Sequence, residues 1–410
     1  MTSDVTPLGF SVSRLSRIET FLRDKYVDSG RLPGAQVTVL RHGELAYRAT
    51  IGQADTERGR KLEDDTIFRI YSMTKPITSI AFMMLVEEGK VALDDPVTRF
   101  IPEWKDLGVL QAGGLEMGGW LTKPLERPMQ IVDLLRHTSG LTYGFQHRGN
   151  LDQAYRKLHT SEFNNEGGLD GMIADLAKLP LLFSPGEAWN YSVSTDVLGY
   201  LIGRISGMPL QDFLQARIFD PLGMADTGFF VAPGKAHRLP ACYTQTPRGR
   251  ELLDDPETSL CLKPPALYSG GGGLLSTSND YLRFCRMLLG RGSLDGEQLI
   301  APKTLSLMTA NHLPGGKDLT EMSVSLFSEA TFAGVGFGLG FAVTEKPALT
   351  LLPVSKGEFF WGGMASTAFW IDPVEDLACV FMTQLTPSST YPLRREMRTL
   401  IYGALVDSQA

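Results

Sequence analysis

Several things are scarce or missing in this chain of 410 residues, and each absence narrows what it can be. There are only four cysteines, Cys242, Cys261, Cys285 and Cys379, with no C-x-x-C pair and no clustering with histidine. That removes a disulfide framework and a zinc site. Cys285 and Cys379 fall inside apolar runs and read as buried thiols. The six histidines are scattered, without H-E-x-x-H or another ligand-like spacing, so no metal or other cofactor is expected. No stretch approaches about 18 uninterrupted apolar residues, the length a membrane helix needs. The net charge of −7 is spread without a basic block, which argues against nucleic acid and anionic membranes as partners. Residues 1–7 have no charged region followed by an apolar core, so they do not read as a signal peptide, and a soluble cytoplasmic protein is expected. G-x-S-x-G is absent, which disfavours an α/β-hydrolase. The run Gly270-Gly271-Gly272-Gly273 lacks the G-K-[ST] of a phosphate loop and reads instead as letting a strand pass close to the wall of a site. Internal repeats and low-complexity tracts are missing too.

What remains is an ordinary globular composition, 43% hydrophobic and 21% charged. An amphipathic helix is expected from Ser11 to Val27. Strand-like runs follow at Gly34 to Leu40 and Glu44 to Gly52, joined at Arg41-His42-Gly43, a hairpin signal. Ile67 to Ile70 reads as a short strand. Gly113 to Pro128 reads as a Gly/Pro-rich loop, and Asp152 to Leu182 as helical with an interruption near Asn164 to Gly168. Helices are expected through residues 197–202, 210–218 and 279–289. Late strands are read at Gly336 to Val343, Glu358 to Ile371 and Ala378 to Gln384, before a last helix from Leu393 to Val406. Strands near both ends with a helical, loop-rich middle predict one mixed sheet with an inserted lobe. The division expected is 1–95 with 205–410 as an α/β lobe, and 96–204 as a mostly helical insertion.

The chemistry centres on Phe68-Arg69-Ile70-Tyr71-Ser72-Met73-Thr74-Lys75-Pro76. A short β-type run switches at Ser72 to a helical pattern in which Ile77, Ile80, Ala81, Met84 and Leu85 recur at three- and four-residue steps. Pro76 sits in the first turn, where a missing N–H costs little. Ser72 and Lys75 are three apart at a helix start and point the same way. A serine alkoxide needs a base beside it and positive potential beneath it, and a lysine one turn on can supply both. A serine at a helix start is also a common cap. The tetrapeptide alone is a weak signal, since about one chance match is expected in a chain this long.

Three further stretches sharpen it. Ser72-Met73-Thr74-Lys75 resembles the S-x-x-K of penicillin-recognising serine enzymes. Tyr191-Ser192-Val193, after Pro185-Gly186, resembles their Y-x-N element, and residues 134–141 resemble another stretch of that group. Trp361-Gly362-Gly363 stands where those enzymes carry K-T-G or H-T-G. The combination, roughly from Pro33 to Gln384, resembles the family VIII carboxylesterases of the serine β-lactamase/penicillin-binding superfamily. That resemblance implies an α+β fold of the β-lactamase/DD-peptidase type, an antiparallel sheet flanked by helices with an inserted helical lobe. It implies Ser72 as nucleophile, with Lys75 and Tyr191 handling the proton. It implies an oxyanion hole from the N–H groups of Ser72 and Met364, and substrate contacts at Tyr71, Val193, Trp361, Gly362 and Gly363. Which of Lys75 and Tyr191 takes the serine proton stays open, because the two titrate as a pair. His137 reads as a structural residue.

The departures from the family pattern point to esters. Tryptophan at 361 cannot offer the cation that binds a penicillin carboxylate, so neutral esters are expected. Val193 replaces the asparagine of Y-x-N. A serine carboxylesterase acting on short-chain acyl esters is the expected activity, with side activity on cephalosporins left open. The other readings are an acyltransferase serving a secondary-metabolite alcohol or amine, and a class C-like β-lactamase or D-aminopeptidase. The expected partner is a small-molecule ester, and a homodimer is left open.

Overall fold

A computed structural model describes residues 5–160, 165–324 and 332–409. Its centre is an eight-stranded sheet drawn from the two ends of the chain. The first three strands are β1 (Gly34–Arg41), β2 (Glu44–Asp55) and β3 (Arg60–Lys61). The other five are β4 (Val335–Phe337), β5 (Ala342–Thr344), β6 (Phe359–Gly362), β7 (Ala368–Asp372) and β8 (Leu377–Met382). Their order across the sheet is β4-β5-β6-β7-β8-β1-β2-β3. β1 therefore lies between β2, its hairpin partner, and β8, more than three hundred residues downstream. Both ladders are antiparallel, with Val37 opposite Ala49 on one side and Phe381 on the other.

Both faces of the sheet are covered, which is why β1 and β8 are buried along their whole length. On one face, α1 (Val12–Leu22) sends in Leu15, Ile18 and Leu22. The last long helix sends in Leu393, Met397 and Ile401, and these meet Val37, Val39, Trp370, Cys379 and Phe381. Ser11 starts α1, its hydroxyl accepting from Arg14 N–H. On the other face, the helix Thr74–Glu87, α2, packs with α3 (Ser194–Ser206) and α4 (Ser278–Leu289) into one large core. α2 is buried from Thr74 to Leu85, so it reads as apolar all round, as a central helix must. The last helix, Leu393–Tyr402, is α5. Between α2 and α3 lie short helices at Ile131–Leu135, Asn150–Lys157 and Gly168–Leu176, the inserted helical part of the fold. The antiparallel sheet, flanking helices and helical insertion are those of the β-lactamase/DD-peptidase type. Cys285 and Cys379 are buried free thiols.

Four expectations need correction. The region 113–128 is not simply a loop: Val109–Gly114 and Gly119–Lys123 form a hairpin. Gly113, at φ +108°, permits it, because a Cβ there would lie 2.3 Å from the Gly119 carbonyl. The run Gly336 to Val343 is two strands, not one. Its turn passes over α2 at Gly340, where a Cβ would come 2.3 Å from Ser79 Oγ. Glu358 to Ile371 likewise divides into β6 and β7 around a turn closed by Gly363 N–H donating to Thr367 O at 2.8 Å. Gly270 to Gly273 is a turn rather than part of a strand. Of the interruption expected near Asn164 to Gly168, Asn164 lies outside the described residues.

Candidate active site

Ser72 sits in a single 3₁₀ turn, Tyr71–Met73, between the strand Phe68–Arg69 and α2. The turn is reached through Tyr71 at φ +43°, a left-handed conformation uncommon for a residue with a bulky side chain. Such a conformation persists only where the surroundings enforce it. Here the strand is paired with Leu275–Ser276, and Arg69 is tied to Asp254, Pro240 O and Gln384. Tyr281 Oη donates to Met73 O at 2.9 Å, and Leu274 N–H donates to Thr74 Oγ1 at 3.1 Å. The Ser72 turn is thus clamped from three directions.

Lys75 is 2% exposed, and its Nζ donates to Ser72 Oγ at 3.1 Å and to Gly271 O at 2.6 Å. The same nitrogen lies 4.5 Å from the centroid of the Tyr191 ring and 5.3 Å from that of Tyr143. A buried ammonium needs such partners, and two π faces supply part of what water would. Tyr191 is fixed from behind: Asn190 N–H donates to His137 O at 2.9 Å, and Asn190 Nδ2 donates to Leu141 O at 2.8 Å. Its hydroxyl accepts from the Trp361 indole N–H at 3.3 Å. Ser72, Lys75 and Tyr191, which the sequence separates by up to 119 positions, therefore meet in one place.

The strand edge completes the wall. Trp361 leaves β6 between Tyr191 and Phe337, with ring centroids at 5.5 and 5.3 Å. Gly363 is closely held, since a Cβ would fall 2.2 Å from Thr367 Oγ1 and 2.5 Å from Ile70 O. That contact brings the turn after β6 against the turn that carries Ser72. Among the described residues, no acceptor is recorded for the Met364 N–H. Tyr71, Ser72, Tyr191, Trp361, Gly362, Gly363 and Met364 all line one cavity of about 880 Å³. Val193 does not. It is wholly buried at the residue preceding α3 and packs in the core, so it makes no wall of the cavity. The chain turns into the helix immediately after Tyr191, which carries that side chain inward.

His137 is buried, its Nδ1 3.2 Å from Ser192 Oγ and its ring against Trp189, Tyr191 and Phe337. Burial, and then the nearby Lys75 charge, hold its pKa well below the usual 6.5. The ring is thus neutral and packs against Tyr191.

One acidic residue escaped the sequence reading. Asp196, in the first turn of α3, is 1% exposed. It accepts from Gly271 N–H at 3.0 Å, from Ser269 Oγ and, at 3.4 Å, from Tyr143 Oη. Burial and this carboxylate push the Tyr143 pKa well up, so Tyr143 remains a phenol and a donor. The only signal available was the spacing of Asp196 from Tyr191. An acid in a first helical turn is ordinary enough to hide it. Among the described residues, no group of His, Cys, Asp or Glu could hold a metal ion.

A sequence profile of the beta-lactamase family matches residues 22–403. The chain belongs to that family. Within it, a Mycobacterium tuberculosis protein described as uncharacterized is 39% identical over 369 residues, 88% of either chain. Esterase EstB of Burkholderia gladioli is 31% identical over 421 residues, 98% of this chain and 99% of its own. Among solved structures, EstCE1, described as a hydrolase with promiscuous acyltransferase activity, superposes with a TM-score of 0.76 at 26% identity. That match covers 97% of this chain and 98% of EstCE1. These relatives place the chain on the esterase branch of the β-lactamase-like superfamily, as the motifs implied.

Proposed function

We propose that this chain is a serine carboxylesterase that cleaves short-chain acyl esters through an acyl-Ser72 intermediate. The observation that carries the reading is the 3.1 Å bond between Lys75 Nζ and Ser72 Oγ at the wall of a largely aromatic cavity. Ser72 Oγ attacks the ester carbonyl while its proton passes to the Lys75–Tyr191 pair. The N–H groups of Ser72 and Met364 receive the charge that develops on the carbonyl oxygen. Tyr191 returns the proton to the departing alkoxide, and then helps a water attack the acyl-serine. The free acid leaves and Ser72 is restored. Trp361 and Tyr71 flank the ester. The names of EstB, an esterase, and EstCE1, a hydrolase, support ester hydrolysis over other acyl chemistry.

A second reading shares every step but the last. An acyltransferase would deliver the acyl group to an alcohol or amine instead of water. A cavity of about 880 Å³ leaves room for such an acceptor beside a short acyl chain, and EstCE1 is described by both activities. Cytoplasmic location and the two-part division, 1–95 with 205–410 and 96–204, belong to the same reading. No helix among the described residues is long and apolar enough to cross a membrane.

The test is hydrolysis of p-nitrophenyl butyrate by the wild-type protein and by Ser72→Ala, with product analysis in the presence of an added alcohol. Turnover by the wild type alone, with the free acid as product, is expected. Retained turnover by Ser72→Ala would reject the assignment, and transfer to the alcohol at the expense of the acid would favour the second reading.

A further inference from the structure

The Tyr191 phenol can serve Ser72 and Lys75 only if the main chain beneath it is held still. What holds it is a largely buried polar cluster that joins the segment 141–148 to Asn190 and Tyr191. Gln146, 8% exposed, is bonded at both ends of its amide. Its Nε2 donates to the Tyr191 carbonyl, and its Oε1 accepts from Arg148 Nη2. That orientation is forced. A guanidinium can only donate and a carbonyl can only accept, so turning the amide over would break both bonds. The same Arg148 nitrogen donates to Asn190 Oδ1 at 2.8 Å, while Asn190 Nδ2 donates to Leu141 O. Asn190 directly, and Tyr191 through Gln146, are thus tied to one guanidinium.

Arg148 is placed in turn by Asp152, which is 2% exposed. The carboxylate accepts from Arg148 N–H at 2.8 Å and from Thr142 Oγ1 at 2.9 Å, and lies 3.7 Å from Arg148 Nε. Moving Arg148 away would leave that buried charge unpaired, which is costly. A network so fully satisfied favours one backbone geometry over its neighbours. It runs from the helix Asn150–Lys157, which carries Asp152, to the carbonyl of Tyr191. Tyr143 and Phe145, on the same segment, line the cavity, whereas Gln146 does not.

We propose that Gln146 is a positioning residue of the reaction, oriented by Arg148 and Asp152, and that it acts through the Tyr191 phenol. A shift of the Tyr191 carbonyl swings the ring and carries its oxygen away from the Ser72–Lys75 bond. The proposal rests on the esterase reading, in which Tyr191 relays the proton.

Gln146→Glu tests it, because that variant keeps the size of the side chain and the acceptor for Arg148 and loses the donor to Tyr191 O. It should lower kcat for p-nitrophenyl butyrate about 10²-fold with KM nearly unchanged, the cost of about 1 Å of misplacement at a reacting group. The decisive comparison is the same substitution made in Tyr191→Phe. With no phenol left to place, Gln146→Glu should cost nothing further there, since residues that act as a unit are not additive. An equal loss in both backgrounds is what a merely structural role gives, and it would overturn the proposal. So would an unchanged kcat in the single variant. If the glutamate variant does not fold, as judged by circular dichroism, Gln146→Met takes its place in the same cycle.

A second readout needs no ester turnover: the rate at which a fluorophosphonate labels Ser72 in the same set of proteins. Ser72 Oγ forms the bond to phosphorus, fluoride leaves, and the serine proton passes to the Lys75–Tyr191 pair. Labelling slowed by Gln146→Glu only when Tyr191 is present, in a wild type that hydrolyses no ester, would reject the esterase reading and keep the positioning role. A wild type that is neither labelled nor active would reject both.

Discussion

Lys75 and Asp196 hold Gly271 from opposite sides. The lysine Nζ donates to its carbonyl at 2.6 Å, and the aspartate accepts its N–H at 3.0 Å. The Lys75 amine is thus positioned through a backbone unit that a buried carboxylate fixes. Asp196 lines the cavity, but its hydrogen bonds go to Gly271, Ser269 and Tyr143 and not to Ser72, so its part is positioning. Asp196→Asn keeps an acceptor but loses the charge. It should lower kcat with KM nearly unchanged, and Asp196→Ala should lower it further. A misplacement of about 1 Å at the reacting groups costs on the order of 10² in rate. Steady-state kinetics on p-nitrophenyl butyrate decide, and a change confined to KM would refute positioning.

Gly271 itself is the second prediction. A Cβ there would stand 2.4 Å from Asp196 Oδ2 and 2.9 Å from Tyr143 Oη, and would wedge apart the hydrogen bond between them. Gly271→Ala should cost about 1–3 kcal/mol of stability and most of the activity. Urea denaturation and kcat measure the two separately.

Tyr191→Phe removes one oxygen and leaves the ring stack on His137 and Trp361 in place. A lost proton relay is worth about 10²–10⁴ in rate. Activity should fall by that order with stability almost unchanged. If the phenol serves deacylation, mass spectrometry should show acyl-Ser72 accumulating in the variant. Wild-type rates would refute the relay.

What the sequence disclosed and what it hid divide along a physical line. Ser72 and Lys75 are neighbours on one helix turn, so spacing alone brings them together. Tyr191 and Trp361-Gly362-Gly363 were legible only because each carries a local signature, a Pro-Gly turn before one and paired glycines on a strand in the other. Asp196, Tyr143 and Ser269 have no such signature. Their role exists only because the turn 270–273 folds against the start of α3, and nothing in one dimension states that contact. Val193 failed for a related reason, since its place in the motif says nothing about the direction of its side chain. Among the strands, misreadings gathered where glycine serves packing: Gly113 and Gly340 look like punctuation in sequence, yet both permit a close approach.

The fourth prediction concerns pH. His137 is neutral in the folded protein because burial and Lys75 hold its pKa well below 6.5. Above about 6.5 the ring is neutral in both states and nothing is lost. Below it the unfolded chain takes up a proton that the folded one resists, so stability falls with pH and levels off only below the folded pKa. The slope is at most about 1.4 kcal/mol per pH unit. His137→Asn tolerates the left-handed backbone, φ +58°, and cannot titrate. Its urea midpoint should fall less than that of the wild type between pH 7 and 5.5. Parallel slopes would contradict the assignment.

The placing of β1 between β2 and β8 has a consequence for biosynthesis. A chain emerging from the ribosome can close the β1–β2 hairpin early, but one flank of β1 stays bare until residues 377–382 appear. Through most of translation an apolar strand with an open ladder waits in solvent, a template for the wrong neighbour. Slow assembly and dependence on a holdase follow from that wait, and proteins shortened before Leu377 should collect in inclusion bodies.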